Sequence, residues 1–335
     1  MSLLTIVMPA YNAAKYINET LQSFIDQTFT DWKLIIINDA STDNTQQIVE
    51  EWKNKDSRIQ LVNNEINLRI TKTMNKGIQF VESPFFARVD SDDILLPHHF
   101  EYLISYLNQN ANIDICGSQV ITIDGQGNFR RKWNYEIESD WIEQSAIFAC
   151  PFLQSSVVMR TEVIKGLNGY REEMELIEDY ELWIRSLKSY KAASLDLYTV
   201  KYRIHDHNIS ENNKSKMLLL LESMYHENQQ NYPIDKTNLH LHARMEIGEW
   251  SNISLKLVKY LSKFEDNLSA INSAQSFYSA RQYKEVLSKY FANAYLKIAT
   301  QNKGFVRFYA IAIALIKYPK WVVFIINRKR ENAKA

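Results

Sequence analysis

Three polar runs in the first hundred residues each follow an apolar run: Pro9-Ala10-Tyr11-Asn12, Asn38-Asp39-Ala40-Ser41-Thr42-Asp43-Asn44-Thr45, and Asp90-Ser91-Asp92-Asp93. Three carboxylates within four residues repel one another, so the last run needs either full solvation or a cation. A hard divalent ion with oxygen ligands is the natural partner, because such ions commonly bridge carboxylates to substrate phosphates. The plainer reading is a solvated acidic turn in which Asp93 caps the helix that follows. A D-x-D match alone carries little; its place at the end of an apolar run gives it weight. Farther on, Glu178-Asp179 open a segment that Leu182 and Trp183 anchor to the core. An anion at a helix N-terminus is stabilised there, so capping is one sufficient role for Asp179.

The elements that must position these residues follow from hydrophobic periodicity. Strands are expected over 3–8, 32–37, 59–62 and 85–89, and helices over 13–27, 45–53, 71–80 and 97–107, the last with Pro97 in its first turn. Such alternation implies a largely parallel sheet with helices on both faces. Ligands of these sheets bind beyond the carboxyl ends of the strands, which is where the polar runs fall. Strands over 113–123, 156–160 and 198–204 and a helix over 179–187 extend the pattern. From about Lys216 the chain turns helical, with segments over 217–225, 255–264, 268–280 and 283–299. The boundary is expected near residues 212–216.

With 335 residues the chain exceeds the ~250–300 at which single cores stop growing, so two domains are expected. A formal net charge of zero argues against a whole-protein role on nucleic acid. Cys116 and Cys150 have no ligand-like spacing and form no disulfide framework, which fits a reducing cytoplasm. Residues 1–5 carry no basic run or cleavage site, so no secretory leader is expected. No run of ~18 apolar residues is present.

Taken in order, the runs at 9–12, 38–43, 90–93 and 178–179, continued by Leu167-Asn168-Gly169-Tyr170 and Tyr202-Arg203-Ile204-His205, resemble family 2 glycosyltransferases over residues 1 to about 210. The resemblance implies the GT-A fold, a Rossmann-like α/β nucleotide-sugar-binding domain with a mostly parallel sheet, here over 1–213. A helical region (214–300) and a tail (301–335) would follow. It also implies a nucleotide-diphosphate sugar donor, usually UDP-linked, and an acceptor hydroxyl on a glycan or lipid-linked glycan of a surface polysaccharide. Carried over residue by residue, Pro9, Ala10, Tyr11 and Asn12 line the nucleotide pocket, Asp39 binds base or ribose, and Arg69 reaches the base. Asp90 and Ser91 belong to the diphosphate site. Asp92, with Asp90, holds Mn²⁺ or Mg²⁺, His205 closes over the metal or diphosphate, and Asp179 is the catalytic base. A lone His at a strand end also has a purely structural reading. The chain departs from the family's pattern at Asn67-Leu68-Arg69-Ile70, which lacks a glycine, and at Gln154, where many relatives carry His.

The chemistry implied is a single displacement: the acceptor oxygen attacks the anomeric carbon, a carboxylate takes its proton, and the nucleoside diphosphate leaves from the opposite face. Three rival readings stand beside it. A non-catalytic nucleotide-sugar-binding protein would have lost an acid, yet Asp39, Asp92 and Asp179 are all present. A nucleotidyltransferase would show a Gly-rich, basic loop after the first strand, and Pro9-Ala10-Tyr11-Asn12 is not one. The third is a helical interaction module with an inactive N-terminal half.

Residues 301–335 carry eight Lys/Arg against the single acid Glu331, a net +7. Apolar runs at 308–316 and 321–326 flank Lys317-Tyr318-Pro319-Lys320; each is too short to span a bilayer. Basic flanks with Trp and Tyr suit a segment lying in the interface of an anionic membrane, expected on the inner face of a bacterial plasma membrane. The other reading is a terminal helix docked on the helical region.

Overall fold

The computed structural model describes residues 2–205 and 213–334. Residue 212, where the expected boundary begins, lies outside them. The chain forms two compact units, one built from residues up to 143 and from 151 onward, the other from residues 144–150 and the helices that begin at Lys214. The segment at 144–150 is thus lent by the first half of the chain to the second unit.

The first unit carries a nine-stranded sheet of order β3-β2-β1-β4-β8-β6-β9-β5, with β7 paired to β6. Its strands are β1 (Leu4–Ala10), β2 (Trp32–Asn38), β3 (Ile59–Asn63), β4 (Phe85–Arg88), β5 (Ile94–Leu95), β6 (Ile115–Ile123), β7 (Phe129–Trp133), β8 (Val158–Arg160) and β9 (Ala192–Arg203). β3, β2, β1 and β4 run parallel, as do β6 and β9, while β8, β7 and β5 join antiparallel. Every residue of β1 is buried, as expected of a strand covered on both faces. Helices α1 (Ile17–Ile25), α2 (Thr45–Lys55), α3 (Arg69–Ile78) and α4 (His99–Gln109) provide that cover, followed by α5 (Ser139–Ser145), α6 (Thr161–Gly166) and α7 (Glu178–Ser186). Helix α3 lies so close to the sheet that a Cβ on Gly77 would sit 2.3 Å from Val7 Cγ1.

Register places the ends of β1, β2 and β3 level, while β4 ends opposite Val7, within β1. Ala10 pairs with Asn38, Asn38 with Asn63, and Val7 with Arg88. After β1 the chain moves to β2 and β3 on one side and then crosses to β4 on the other. The carboxyl ends of the adjacent strands β1 and β4 are therefore the topological switch point, where such sheets bind their ligands. β5 and β7 were not expected: β5 has two residues, and Phe-Arg-Arg-Lys-Trp of β7 is an exposed, basic edge strand without an apolar face.

The second unit holds α8 (Lys214–Glu227), α9 (Leu239–Ile247), α10 (Leu255–Gln275), α11 (Ala280–Gln301), α12 (Gly304–Lys317) and α13 (Pro319–Lys334). Its core includes Tyr225, Trp250, Phe264, Phe291 and Tyr295. Two helices expected over 255–264 and 268–280 are one helix, α10. Glu265-Asp266-Asn267, between the two expected ranges, continue it, and Asn267 Nδ2 donates to Asp235 Oδ2 at 2.8 Å. Ser276, with φ +53°, ends it. α12 and α13 meet at a bend of 111°. Among the described residues no single helix is long and apolar enough to cross a membrane.

Candidate active site

Two loops knit together at the carboxyl ends of β1 and β2. The Asn12 amide donates to Ser41 Oγ (3.1 Å), and Asn12 Oδ1 accepts from the Thr42 amide (2.8 Å). The Ala13 amide donates to Thr45 Oγ1 (2.8 Å) and the Ala14 amide to Asp43 Oδ2 (3.1 Å). These bonds hold residues 12–14 out of a helix, so α1 starts at Ile17 and not at the expected residue 13. Pro9 and Ala10 are buried at the strand end, whereas Tyr11 is 52% exposed.

Asp39 is buried and organises the opposite wall. Its Oδ1 accepts from Asn64 Nδ2 (2.6 Å) and the Leu68 amide (2.8 Å), and its Oδ2 accepts from the Arg69 amide (2.9 Å). Arg69 sits at φ +66°, the left-handed region that favours glycine. The 67–70 run, which lacks a glycine, thus places a non-glycine residue in a backbone shape that costs it strain. The Arg69 side chain is exposed and reaches Glu175 Oε1 at 3.5 Å.

The acidic runs meet on a residue that the sequence reading passed over. Arg88, the last residue of β4, is buried; its Nε donates to Asp90 Oδ1 (2.9 Å) and its Nη1 to Glu178 Oε1 (3.1 Å). One guanidinium thus holds acids from two motifs together. The signal was present in the sequence: a cation inside the apolar Phe85-Phe86-Ala87-Arg88-Val89 run, two residues before the acids, has no cheap way to be buried unless they pair with it. Burial opposes its charge, but Asp90 and Glu178 more than offset that and raise its pKa well above the usual range.

Asp179 stands beside this ion cluster and accepts from the Tyr180 amide at 2.7 Å. The protein packed around it, then the charge of Glu178, push its pKa up to about 7, against the pull of Arg88. The group is poised near neutrality, as a general base requires.

Asp92 faces the other way. His205 Nε2 lies 2.9 Å from Asp92 Oδ2, and the His205 ring stacks on Tyr16 at 5.0 Å. The pair meets because β5 leaves the acidic run to pair with the end of β9, Ile94 with Lys201 and Leu95 with Val200. Arg203 tightens the join: its amide donates to Asp93 Oδ1 (3.1 Å) and its Nε to the Asp92 carbonyl (3.0 Å). Asp93 is fully buried and its pKa is raised, by burial first and then by Asp92 and Asp90. Ser91 is held through its carbonyl, which accepts from Thr20 Oγ1 at 3.1 Å.

Among the described residues no three His, Cys, Asp or Glu side chains form a group that could hold a metal ion by themselves. Asp92 and His205 offer a carboxylate oxygen and an imidazole nitrogen side by side. That set fits an ion whose remaining ligands come from substrate phosphate and water. Asp90, by contrast, is engaged by Arg88.

Gln154 also belongs to this neighbourhood. It is 2% exposed, and neither end of its amide has a hydrogen-bond partner among the described residues. Its neighbour Ser155 accepts the Asp90 amide on Oγ at 3.0 Å. Asp90, Ser91, Asp92, Asp179 and His205 are thus gathered around Arg88 and Arg203. Pro9–Asn12, Asp39 and Arg69 line the loops beyond β1 and β2.

Residues 5–162 match the family model described as Glycosyl transferase family 2. An uncharacterized glycosyltransferase of Methanocaldococcus jannaschii, MJ1057, is 31% identical over 222 residues, 64% of this chain and 76% of that protein. The Escherichia coli protein WfgD, a UDP-Glc:alpha-D-GlcNAc-diphosphoundecaprenol beta-1,3-glucosyltransferase, is 29% identical over 215 residues, 63% of this chain and 80% of its own. Among solved structures, S. aureus TarS 1-349 in complex with UDP-GlcNAc superposes with a TM-score of 0.61 at 18% identity, covering 89% of this chain and 88% of that one. This likeness shows the fold, a GT-A-type α/β domain followed by helices.

Proposed function

The chain belongs to glycosyl transferase family 2, and we propose that it moves a sugar with inversion from a UDP-sugar to a hydroxyl of a lipid-linked glycan in surface polysaccharide synthesis. The observation that carries this reading is the buried Arg88, which ties Asp90 to Glu178 and so sets Asp179 beside the acidic run at the switch point of the sheet. A carboxylate whose pKa is pushed up to about 7 at that position suits removal of a proton from an acceptor hydroxyl near neutral pH. UDP as carrier and a diphosphate-linked lipid acceptor are supported by the names of TarS's bound ligand and WfgD's substrates.

In this reading Tyr11 and Asn12, with Asp39 and Arg69, hold the nucleoside. Asp92 and His205 would hold Mn²⁺ or Mg²⁺, and the ion would supply positive charge to offset the negative charge developing on the departing diphosphate. The Asp179 carboxylate takes the proton of the acceptor hydroxyl as that oxygen bonds the anomeric carbon. The bond from that carbon to the diphosphate breaks, and UDP leaves. From an α-linked donor the product is β-linked.

The test is to incubate the protein with a panel of UDP-, GDP- and dTDP-sugars, with and without Mn²⁺, and to identify both products. The expected result is UDP and a β-linked glycoside formed in the presence of metal. Pyrophosphate release would point to nucleotidyl transfer. Tight UDP binding with no turnover on any acceptor would point to a binding protein.

A further inference from the structure

The C-terminal helix pair is built inside out. On α12, Ala310 and Ala314 are the buried residues, while Phe305, Phe308, Leu315 and Ile316 are 68%, 69%, 53% and 79% exposed. These four recur at helical spacing and form one face. On α13, Val323, Phe324 and Ile326 are also exposed, next to Arg328, Lys329 and Arg330. A helix docked for stability alone would bury its large side chains and expose its small ones.

The pair is nonetheless well placed. Lys317 Nζ lies 3.4 Å from Glu265 Oε2 on α10, and Lys320 Nζ 3.6 Å from Glu285 Oε2 on α11. Tyr318 and Val322 are buried, and Tyr318 stacks on Tyr295 at 6.0 Å. The outer face is therefore presented by a fixed support. Two occupants could cover it: a second copy of the chain or a lipid surface. Charge decides between them. Lys317 and Lys320 are turned to the acids of the support, which leaves Lys303, Arg307, Arg328, Lys329 and Arg330 as the basic residues of the outer face, and residues 303–330 contain no acid. A self-contact would bring like charges around its rim, whereas an anionic surface would be matched by them.

We propose that the outward face of α12 and α13 docks on a bilayer bearing anionic lipid, with Phe305, Phe308, Leu315 and Ile316 entering the interface and the basic residues meeting the headgroups. The 111° bend makes two short helices lying in the surface, neither of them a span.

The experiment is co-sedimentation of the full chain with vesicles of equal parts phosphatidylglycerol and phosphatidylcholine, against phosphatidylcholine alone, at low salt. The wild type is expected to bind the anionic vesicles. Phe308→Ser with Ile316→Ser should weaken binding by roughly a hundredfold or more, from the apolar area no longer transferred. Arg328→Gln, Lys329→Gln and Arg330→Gln together should weaken it by roughly a hundredfold. Melting temperatures, measured alongside, should not move, because the substituted apolar side chains are already outside. Failure of the wild type to bind, or equal binding by the apolar variant, overturns the proposal. So does a wild-type dimer in sedimentation equilibrium that Phe308→Ser with Ile316→Ser dissolves; the occupant is then a second copy. Neither outcome touches the sugar-transfer reading, which is assayed without vesicles.

Discussion

The crevice in the sheet unit and the C-terminal helix pair break the same rule in opposite directions. At the end of β4 the interior holds what it usually excludes: Arg88, Asp93 and Glu178, bound to one another or to the backbone. On α12 the surface holds what the interior usually takes, Phe308 and Ile316. A buried charge is tolerable only with partners in fixed geometry, so it rigidifies its surroundings. An exposed apolar face needs only a support and a destination. Perturbing the first region should therefore cost stability, and perturbing the second should cost almost none.

The largest effect is expected at Arg88. Arg88→Met leaves Asp90 and Glu178 facing each other without their cation, and breaking a buried pair in this way costs about 3–5 kcal/mol. Thermal unfolding at neutral pH should show it. A variant as stable as wild type would mean that the cluster is solvated, and the contrast between the two regions would fail.

Next comes Asp179→Asn. Asp179 is the second residue of α7, after the N-cap Ile177, and Asn keeps the oxygen that accepts from the Tyr180 amide, so a purely structural role predicts little loss. As the base, Asp179 should be worth roughly a hundredfold or more in kcat, with donor affinity nearly unchanged and a melting temperature no lower than that of the wild type. Sugar transfer by the well-folded variant at near-wild-type rate would end the assignment, and Glu178 would be next in line.

The pH dependence sharpens this point, because stability and activity should run in opposite directions. The folded pKa of Asp179, about 7, lies above the ordinary 3.8, so between these values the folded state binds more protons than the unfolded. This carboxyl therefore adds stability at low pH, and that contribution is lost as pH rises towards 7. The active form is the deprotonated one, so kcat/KM should fall as pH drops through about 7. Asp179→Asn should remove this group's share of the stability trend; an unchanged trend would show that another group carries it.

A smaller effect is expected at Gln154, whose buried amide has no partner among the described residues. Gln154→Met should stabilise the free protein by about 1 kcal/mol by removing an unsatisfied polar group. Transfer should fall if the amide is kept for the sugar. A loss of stability would mean that the amide is already satisfied. Smallest of all, Phe308→Ser with Ile316→Ser should stay within about 0.5 kcal/mol of wild-type stability, as surface changes do.

Much of this molecule is legible in its residues. Leu-Thr-Ile-Val-Met and Leu-Ile-Ile-Ile read as buried strands because strands covered on both faces carry unbroken apolar runs, and the polar runs that end them fix where the crevice opens. The order of the acidic motifs was visible for the same reason. What escaped is what periodicity cannot encode. β5 is too short to have a period, β7 has no apolar side, and Leu239-His240-Leu241-His242 alternates like a strand inside a helix. Arg88 was missed although its partner Asp90 is two residues on, because the other, Glu178, lies 90 residues away and no local pattern joins the three. In the tail, the apolar runs were legible but their orientation was not, since only the packed helix reveals that the alanines point inward.

The two-residue strand β5 has a consequence for how the protein is made. Ile94 and Leu95 find their partners only on β9, and Asp92 meets His205 only after 113 further residues have been joined to it. On a ribosome, β1 to β4 and their helices are complete long before that stitch can be sewn. A nascent chain thus carries the residues of the nucleotide end first and those of the second half last, so a chain terminated before β9 lacks the partner of Asp92.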